Sequence, residues 1–179
     1  ALATTKFDLK DKNAIYLLAV GRLTKQKGFD LLIEAISLCD NDRLKLVLLG
    51  DGPLELDLRR LVTKFGIERQ VSFVSFQRNP YPFFAKADAF VLSSRFEGFP
   101  NVVIEALACG TPVIATPAPG GVKEILERVH GCVLAESISA VGIANAIKLF
   151  ISNRNVLSVD AANRYDIKKI CNFYEEVLI

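Results

Sequence analysis

Short runs of consecutive apolar residues recur along the chain, and between them lie stretches whose apolar residues fall at helical spacing. The first run, Ile15 to Val20, stops at Gly21. Gly28 to Leu38 then carries Leu31, Leu32, Ala35 and Leu38 on one helical face, and Leu44 to Leu49 stops at Gly50, which gives strand, helix, strand. Pro53 suits the first turn of a second helix, with Leu54, Leu58, Leu61, Val62 and Phe65 on one face before Gly66 stops it. The same reading places strands at Val71–Val74, Ala89–Leu92 and Pro112–Thr116, with a weak one at Cys132–Leu134. It places helices at Tyr81–Lys86, Asn101–Cys109 and near Lys123–Leu126, and from about Ser139 and Ile167. Strands wetted on one face alternate apolar and polar residues, and these do not. They are therefore expected in a parallel sheet covered on both faces by helices, an α/β class.

The chain has 179 residues, enough for one packed domain or two at most. Hydrophobic residues make up 51% and charged residues 23%, which excludes disordered, collagen-like and mucin-like classes. Net charge is +2 and no basic tract is long enough to follow a phosphate backbone, so no nucleic-acid partner is expected. Cys39, Cys109, Cys132 and Cys171 form no CxxC pair and His130 is the single histidine, so no metal site is expected and reduced cytosolic thiols fit best. The opening residues have neither signal-peptide nor transit-peptide character, and no apolar stretch reaches the ~18 residues of a membrane span. The chain starts at Ala1 and contains no Met, and it is read as a fragment of a longer protein. No low-complexity linker divides it, so residues 1–179 are expected to form a single domain.

Ligands of such sheets sit beyond the carboxyl ends of the strands, so the loops there carry the chemistry. The loop from Gly21 to Gly28 matches neither a P-loop nor a dinucleotide fingerprint. Its cations Arg22 and Lys27, flanked by glycines, form either a clamp for a diphosphate or a solvated basic turn. Gly50-Asp51-Gly52-Pro53 reads as a structural turn that also stands as a pocket wall. The most informative stretch is Ser93 to Thr116. Glu97 follows a buried strand, and Gly98, Phe99, Pro100 and Asn101 lead into a helix whose first amides suit an anion. Glu105 lies in the apolar helix VVIEALA, where a carboxylate needs a hydrogen-bond donor. A ribose diol is one such donor and an internal pair is the other; Glu97 either meets a second polyhydroxy group or is a surface loop residue. The aromatic cluster Phe73, Phe76, Tyr81, Phe83, Phe84 and Phe90 reads as core and turn packing rather than a base-stacking platform. His130 reads as a loop residue, and Arg78 and Asn79 stand at the edge of the nucleotide pocket or in a plain loop.

Taken in order, Gly21-Arg22-Leu23 with Lys27-Gly28, Glu97-Gly-Phe-Pro-Asn101, and Glu105-Ala-Leu-Ala-Cys-Gly-Thr-Pro-Val-Ile-Ala-Thr116 resemble the C-terminal donor-binding domain of family 4 glycosyltransferases of the GT-B fold. The resemblance covers nearly the whole chain and includes the spaced pair E-x7-E, met by Glu97 and Glu105. It implies a Rossmann-like sheet, with Arg22 and Lys27 on the donor diphosphate, Glu97 facing the transferred sugar and Glu105 on the ribose. Gly21 and the backbone from Gly98 to Asn101 would complete the donor site. The family has Phe-x-Gly where the base binds, and Phe73-Val74-Ser75 carries serine instead. Gly120-Gly121 and Glu124 are similar to the family's Gly-rich loop, and local turn chemistry accounts for them equally. The resemblance implies a retaining, metal-independent transfer of a hexose-type sugar from a nucleotide sugar, UDP-linked above all, to a glycan or lipid-linked acceptor. The absence of an Asp-x-Asp motif agrees with the metal-independent reading, and no cofactor is implied. An N-terminal acceptor domain of the same polypeptide, absent here, would be the partner, in the cytoplasm or peripheral on the inner face of a membrane. The alternative is a non-catalytic nucleotide or sugar-phosphate binding domain with a regulatory or scaffold role; a dinucleotide-dependent oxidoreductase fails on the missing GxGxxG.

Overall fold

The computed structural model describes residues 13–127 and 129–153. Six strands, β1 (Ile15–Val20), β2 (Leu44–Leu49), β3 (Val71–Val74), β4 (Ala89–Leu92), β5 (Val113–Ala115) and β6 (Val133–Leu134), form one sheet. Their order is β3-β2-β1-β4-β5-β6 and every pairing is parallel. The helices are α1 (Phe29–Cys39), α2 (Glu55–Phe65), α3 (Tyr81–Phe84), α4 (Asn101–Ala108), α5 (Val122–Leu126) and α6 (Ala140–Ser152), and a short 3-10 turn covers Lys25–Lys27. This is the parallel α/β arrangement expected from the apolar runs and the Rossmann-like sheet implied by the resemblance.

Strand side chains alternate between two cores. Leu17, Ala19, Leu46, Leu48 and Val91 pack with α1, α2 and α6. Leu18, Val47, Leu49, Phe90, Leu92 and Ala115 pack with α3, α4 and α5. Both faces of each central strand are thus dry, which is why the runs show no polar alternation. The strand order reverses between β1 and β4, whose neighbours lead away to opposite edges. Their carboxyl ends therefore open a crevice at the centre of the sheet.

Several boundaries differ from the sequence reading. Pro53 lies in a turn and α2 begins only at Glu55, because Leu54 N first donates to Leu23 O (3.1 Å) and Glu55 N to Gly52 O (3.3 Å). That turn is tied to the β1 loop before the helix starts. α1 continues past Leu38 to Cys39 and ends at Asp40, which has a left-handed φ of 49°. The aromatic cluster is not one core. Phe83, Phe84 and Phe90 are buried, with Phe84 edge-on to Phe90 at 5.4 Å, and Phe73 lies half-buried under the Arg59 guanidinium at 4.3 Å. Phe76 remains 67% exposed, because it stands on the loop beyond the edge strand β3, outside both buried cores. The helix expected from Ile167 and Cys171 lie outside the described residues. Among the described residues no helix is long and apolar enough to cross a membrane.

Candidate functional site

The ladder runs one residue beyond several strands: Gly21 N donates to Leu49 O (2.9 Å), Gly50 N to Val74 O (2.9 Å) and Thr116 N to Leu92 O (2.9 Å). The loops that follow are held level by these bonds. They surround a cavity of about 580 Å³ at the carboxyl ends of β1 and β2, a volume suited to a small-molecule ligand. The β1 side gives Val20, Gly21, Arg22 and Lys27; the β2 side gives Leu49, Gly50 and Asp51. Phe76, Gln77, Arg78 and Pro80 come from the β3–α3 loop, and Val102 and Glu105, one turn apart on α4, complete the lining.

Of the residues singled out by sequence, Gly21, Arg22, Lys27 and Glu105 meet in this cavity. The Glu105 carboxylate has no hydrogen-bond or ionic partner among the described residues, and it lines the cavity, where a ligand can reach it. The internal pairing weighed for it is not found among the described residues. Glu97 sits behind Lys27 rather than in the lining. Lys27 Nζ donates to Glu97 Oε1 at 2.7 Å, and the pair is 19% and 7% exposed respectively. The buried Ser94 hydroxyl donates to the same Glu97 oxygen, and Ser94 O in turn accepts from Thr116 Oγ1 at 2.6 Å. Glu97 is therefore not the plain surface residue that was one of its two readings. Gly98, Phe99, Pro100 and Asn101 lie outside the lining; Gly98 O accepts from Gly121 N (2.9 Å) and Phe99 is exposed. No side chain caps the N-terminus of α4. Asp51 braces the loop opposite by accepting from Phe76 N at 3.1 Å.

Sequence reasoning kept Gly50 and Asp51 as a wall and missed Phe76, Gln77 and Pro80, which the β3–α3 loop carries into the cavity. Gln77 and Pro80 had only position as a signal, just beyond a strand's carboxyl end, whereas Phe76 was weighed as a stacking ring and read as packing. Among the described residues the thiols of Cys39, Cys109 and Cys132 offer no activated nucleophile. Burial pushes Cys39 and Cys132 up to about 11, and burial followed by the nearby Glu105 charge raises Cys109. Among the described residues no group of three or more His, Cys, Asp or Glu side chains is placed to hold a metal ion.

The family profile described as "Glycosyl transferases group 1" matches residues 3–168. This chain belongs to that family. A relative from Campylobacter jejuni, N-acetylgalactosamine-N,N'-diacetylbacillosaminyl-diphospho-undecaprenol 4-alpha-N-acetylgalactosaminyltransferase, is 44% identical over 117 residues, covering 65% of this chain and 31% of that protein. The lipopolysaccharide core biosynthesis glycosyltransferase LpsE of Rhizobium meliloti is 33% identical over 144 residues, covering 80% of this chain and 42% of that one. Among solved structures, Anabaena HepE in complex with UDP superposes with a TM-score of 0.81 at 28% identity, covering 93% of this chain and 49% of that chain. HepE in complex with UDP-glucose gives 0.80 with the same coverage. The resemblance drawn from Gly21 to Thr116 and the Rossmann-like fold are both borne out. This group 1 domain spans less than half the length of each of these relatives.

Proposed function

We propose that this group 1 domain is the nucleotide-sugar-binding half of a retaining, metal-independent glycosyltransferase that moves a hexose-type sugar from a UDP-sugar to a glycan or lipid-linked acceptor. The observation that carries this is the meeting of Arg22 and Lys27 with the unpartnered Glu105 carboxylate in one cavity. The two cations serve the diphosphate, and Glu105 accepts from the ribose hydroxyls. The base then lies toward Phe76, Gln77 and Arg78. Lys27 has three N–H donors and spends one on Glu97, so it can hold a phosphate oxygen while keeping its carboxylate partner. Glu97, bonded to that ammonium, is assigned to the transferred sugar, one ammonium away from the diphosphate. As the glycosidic bond breaks, negative charge grows on the leaving diphosphate, and Arg22 and Lys27 stabilise it there. UDP and UDP-glucose in the HepE complexes support the choice of donor. The acceptor belongs to an N-terminal domain of the same polypeptide, at the inner face of a membrane or in the cytoplasm.

Calorimetry with UDP, other nucleoside diphosphates and pyrophosphate tests the reading. UDP should bind, and Glu105→Gln should weaken UDP while leaving pyrophosphate unchanged. A wild-type domain that ignores every nucleotide, or an equal loss for both ligands, would overturn the assignment. The domain alone should transfer no sugar, because holding an acceptor at the anomeric carbon is worth ~7 to 11 kcal/mol of barrier. Joined to its N-terminal domain it should transfer; binding without transfer in that joined protein would favour a non-catalytic nucleotide-binding role.

A further inference from the structure

The loops after β1 and β4 are laced together behind the cavity. Arg95 spans Asp30 with both prongs of its guanidinium, Nη1 to Oδ1 and Nη2 to Oδ2 at 2.7 Å each, and Nη1 also donates to Lys25 O at 2.8 Å. Arg95 N donates to Gln26 O (2.8 Å), Gln26 Nε2 to Phe96 O (3.2 Å) and Ser93 Oγ to Lys27 O (2.8 Å). Residues 25–27, the 3-10 turn that presents Lys27, are thereby held at each position by residues 93–96, the segment that leads to Glu97. Arg95 itself does not line the cavity. The Arg95 and Asp30 side chains are 27% and 36% exposed. A pair that exposed contributes little stability, yet its fork geometry and its third contact to a backbone carbonyl fix direction as well as distance.

We infer that Arg95 and Asp30 are positioning residues that set where the Lys27 ammonium stands relative to Glu97 and the cavity, without touching the ligand themselves. The inference rests on the donor-binding reading for its effect on affinity, but its geometric core does not. Arg95→Ala removes the fork, and Arg95→Lys keeps the charge while losing the two-pronged geometry, so it also guards against simple misfolding.

Two measurements on the full chain test it. The first is NMR of lysine side-chain ammonium groups, with Lys27→Ala used for assignment. Wild type should show a Lys27 signal protected from solvent exchange by its bond to Glu97, and both Arg95 variants should lose it while melting within about 2 to 4 °C of wild type. The second is UDP calorimetry. Arg95→Lys should lose affinity about fivefold, and the same substitution in a Lys27→Ala background should change it less than about twofold, since the effect passes through Lys27. No protected Lys27 signal in wild type, a signal that persists in both variants, or an equal affinity loss with and without Lys27 would overturn the inference. Loss of the signal in a chain that never binds UDP would uphold the clamp and sink the donor reading instead.

Discussion

Gly28 faces Ser93 across the two loops with no room for a side chain, and replacing it measures how tightly they fit. Its φ of 64° is left-handed, and a Cβ there would stand 2.1 Å from Ser93 O. Gly66, at the end of α2, has almost the same backbone, φ 67° and ψ 29° against 64° and 26°, but a Cβ there would meet nothing within 4 Å. Gly66→Ala therefore carries only the left-handed penalty of ~1 to 2 kcal/mol, less the ~0.4 to 1 kcal/mol that alanine returns by restricting the unfolded chain. Gly28→Ala carries the same net cost and must also open the loops by about 1.3 Å to reach ordinary contact at 3.4 Å. An opening of that size breaks the bonds from Ser93 Oγ to Lys27 O and from Arg95 N to Gln26 O, both 2.8 Å, at ~1 kcal/mol each. The difference between the two variants should therefore be about 2 kcal/mol. Urea unfolding of both, with slopes compared to confirm equal exposed surface, gives the number directly. A difference under about 0.5 kcal/mol, the size of ordinary non-additivity, would show that the loops part freely and refute the reasoning.

Other outcomes follow from the same site. Lys27→Met strands the nearly buried Glu97 carboxylate and should cost about 2 to 4 kcal/mol of stability, most of which Lys27→Met/Glu97→Gln should restore; a double variant no better than the single would remove the coupling. Burial pushes the Asp30 carboxyl up, but the Arg95 hydrogen bonds and charge outweigh it and hold it below its ordinary value. Its stabilising contribution is thus fully present above the unfolded value of about 3.9 and is lost as pH falls through the lower folded one. The stability gap between wild type and Asp30→Asn should accordingly shrink in acid, and a gap constant from neutral pH to pH ~2 would contradict this. Phe76→Ala should weaken UDP by ~1 to 3 kcal/mol through lost stacking and leave pyrophosphate and the melting temperature unchanged, because the ring is exposed. Pyrophosphate weakened to the same degree would move Phe76 away from the base.

The strands were legible because burial on both faces leaves a continuous apolar signature, and the places of Arg22, Lys27 and Glu105 followed from strand ends and helical register. What failed to show in the sequence is long-range. Nothing local to Lys27 announces Glu97 as its partner, since the two are 70 residues apart. Both could be named as site residues, but not as a pair in which one shields the other. The start of α2 was misjudged for a similar reason: Pro53 is a good first-turn residue, and a bond from Leu54 to the β1 loop takes that turn for another purpose. Phe76 was grouped with core aromatics because composition cannot tell a ring beneath a helix from one on an edge loop. Strand order, too, is decided by which runs dock against which, and the spacing of runs along the chain does not contain it.

The 70-residue separation of Lys27 and Glu97 also sets a clock. At ~5 to 20 residues per second, a ribosome needs roughly 4 to 14 s to deliver the carboxylate after the ammonium has emerged. During that interval β1, β2 and β3 can already pair, but the Lys27 loop has no opposite bank. A ligand that needs both loops cannot reward the first half of the sheet for folding early. It acts only once β4 has docked beside β1 and α4 has brought Glu105 to the cavity, so ligand binding in arrested nascent chains should switch on after α4 has emerged and serve as a reporter of the moment when the two halves of the sheet join.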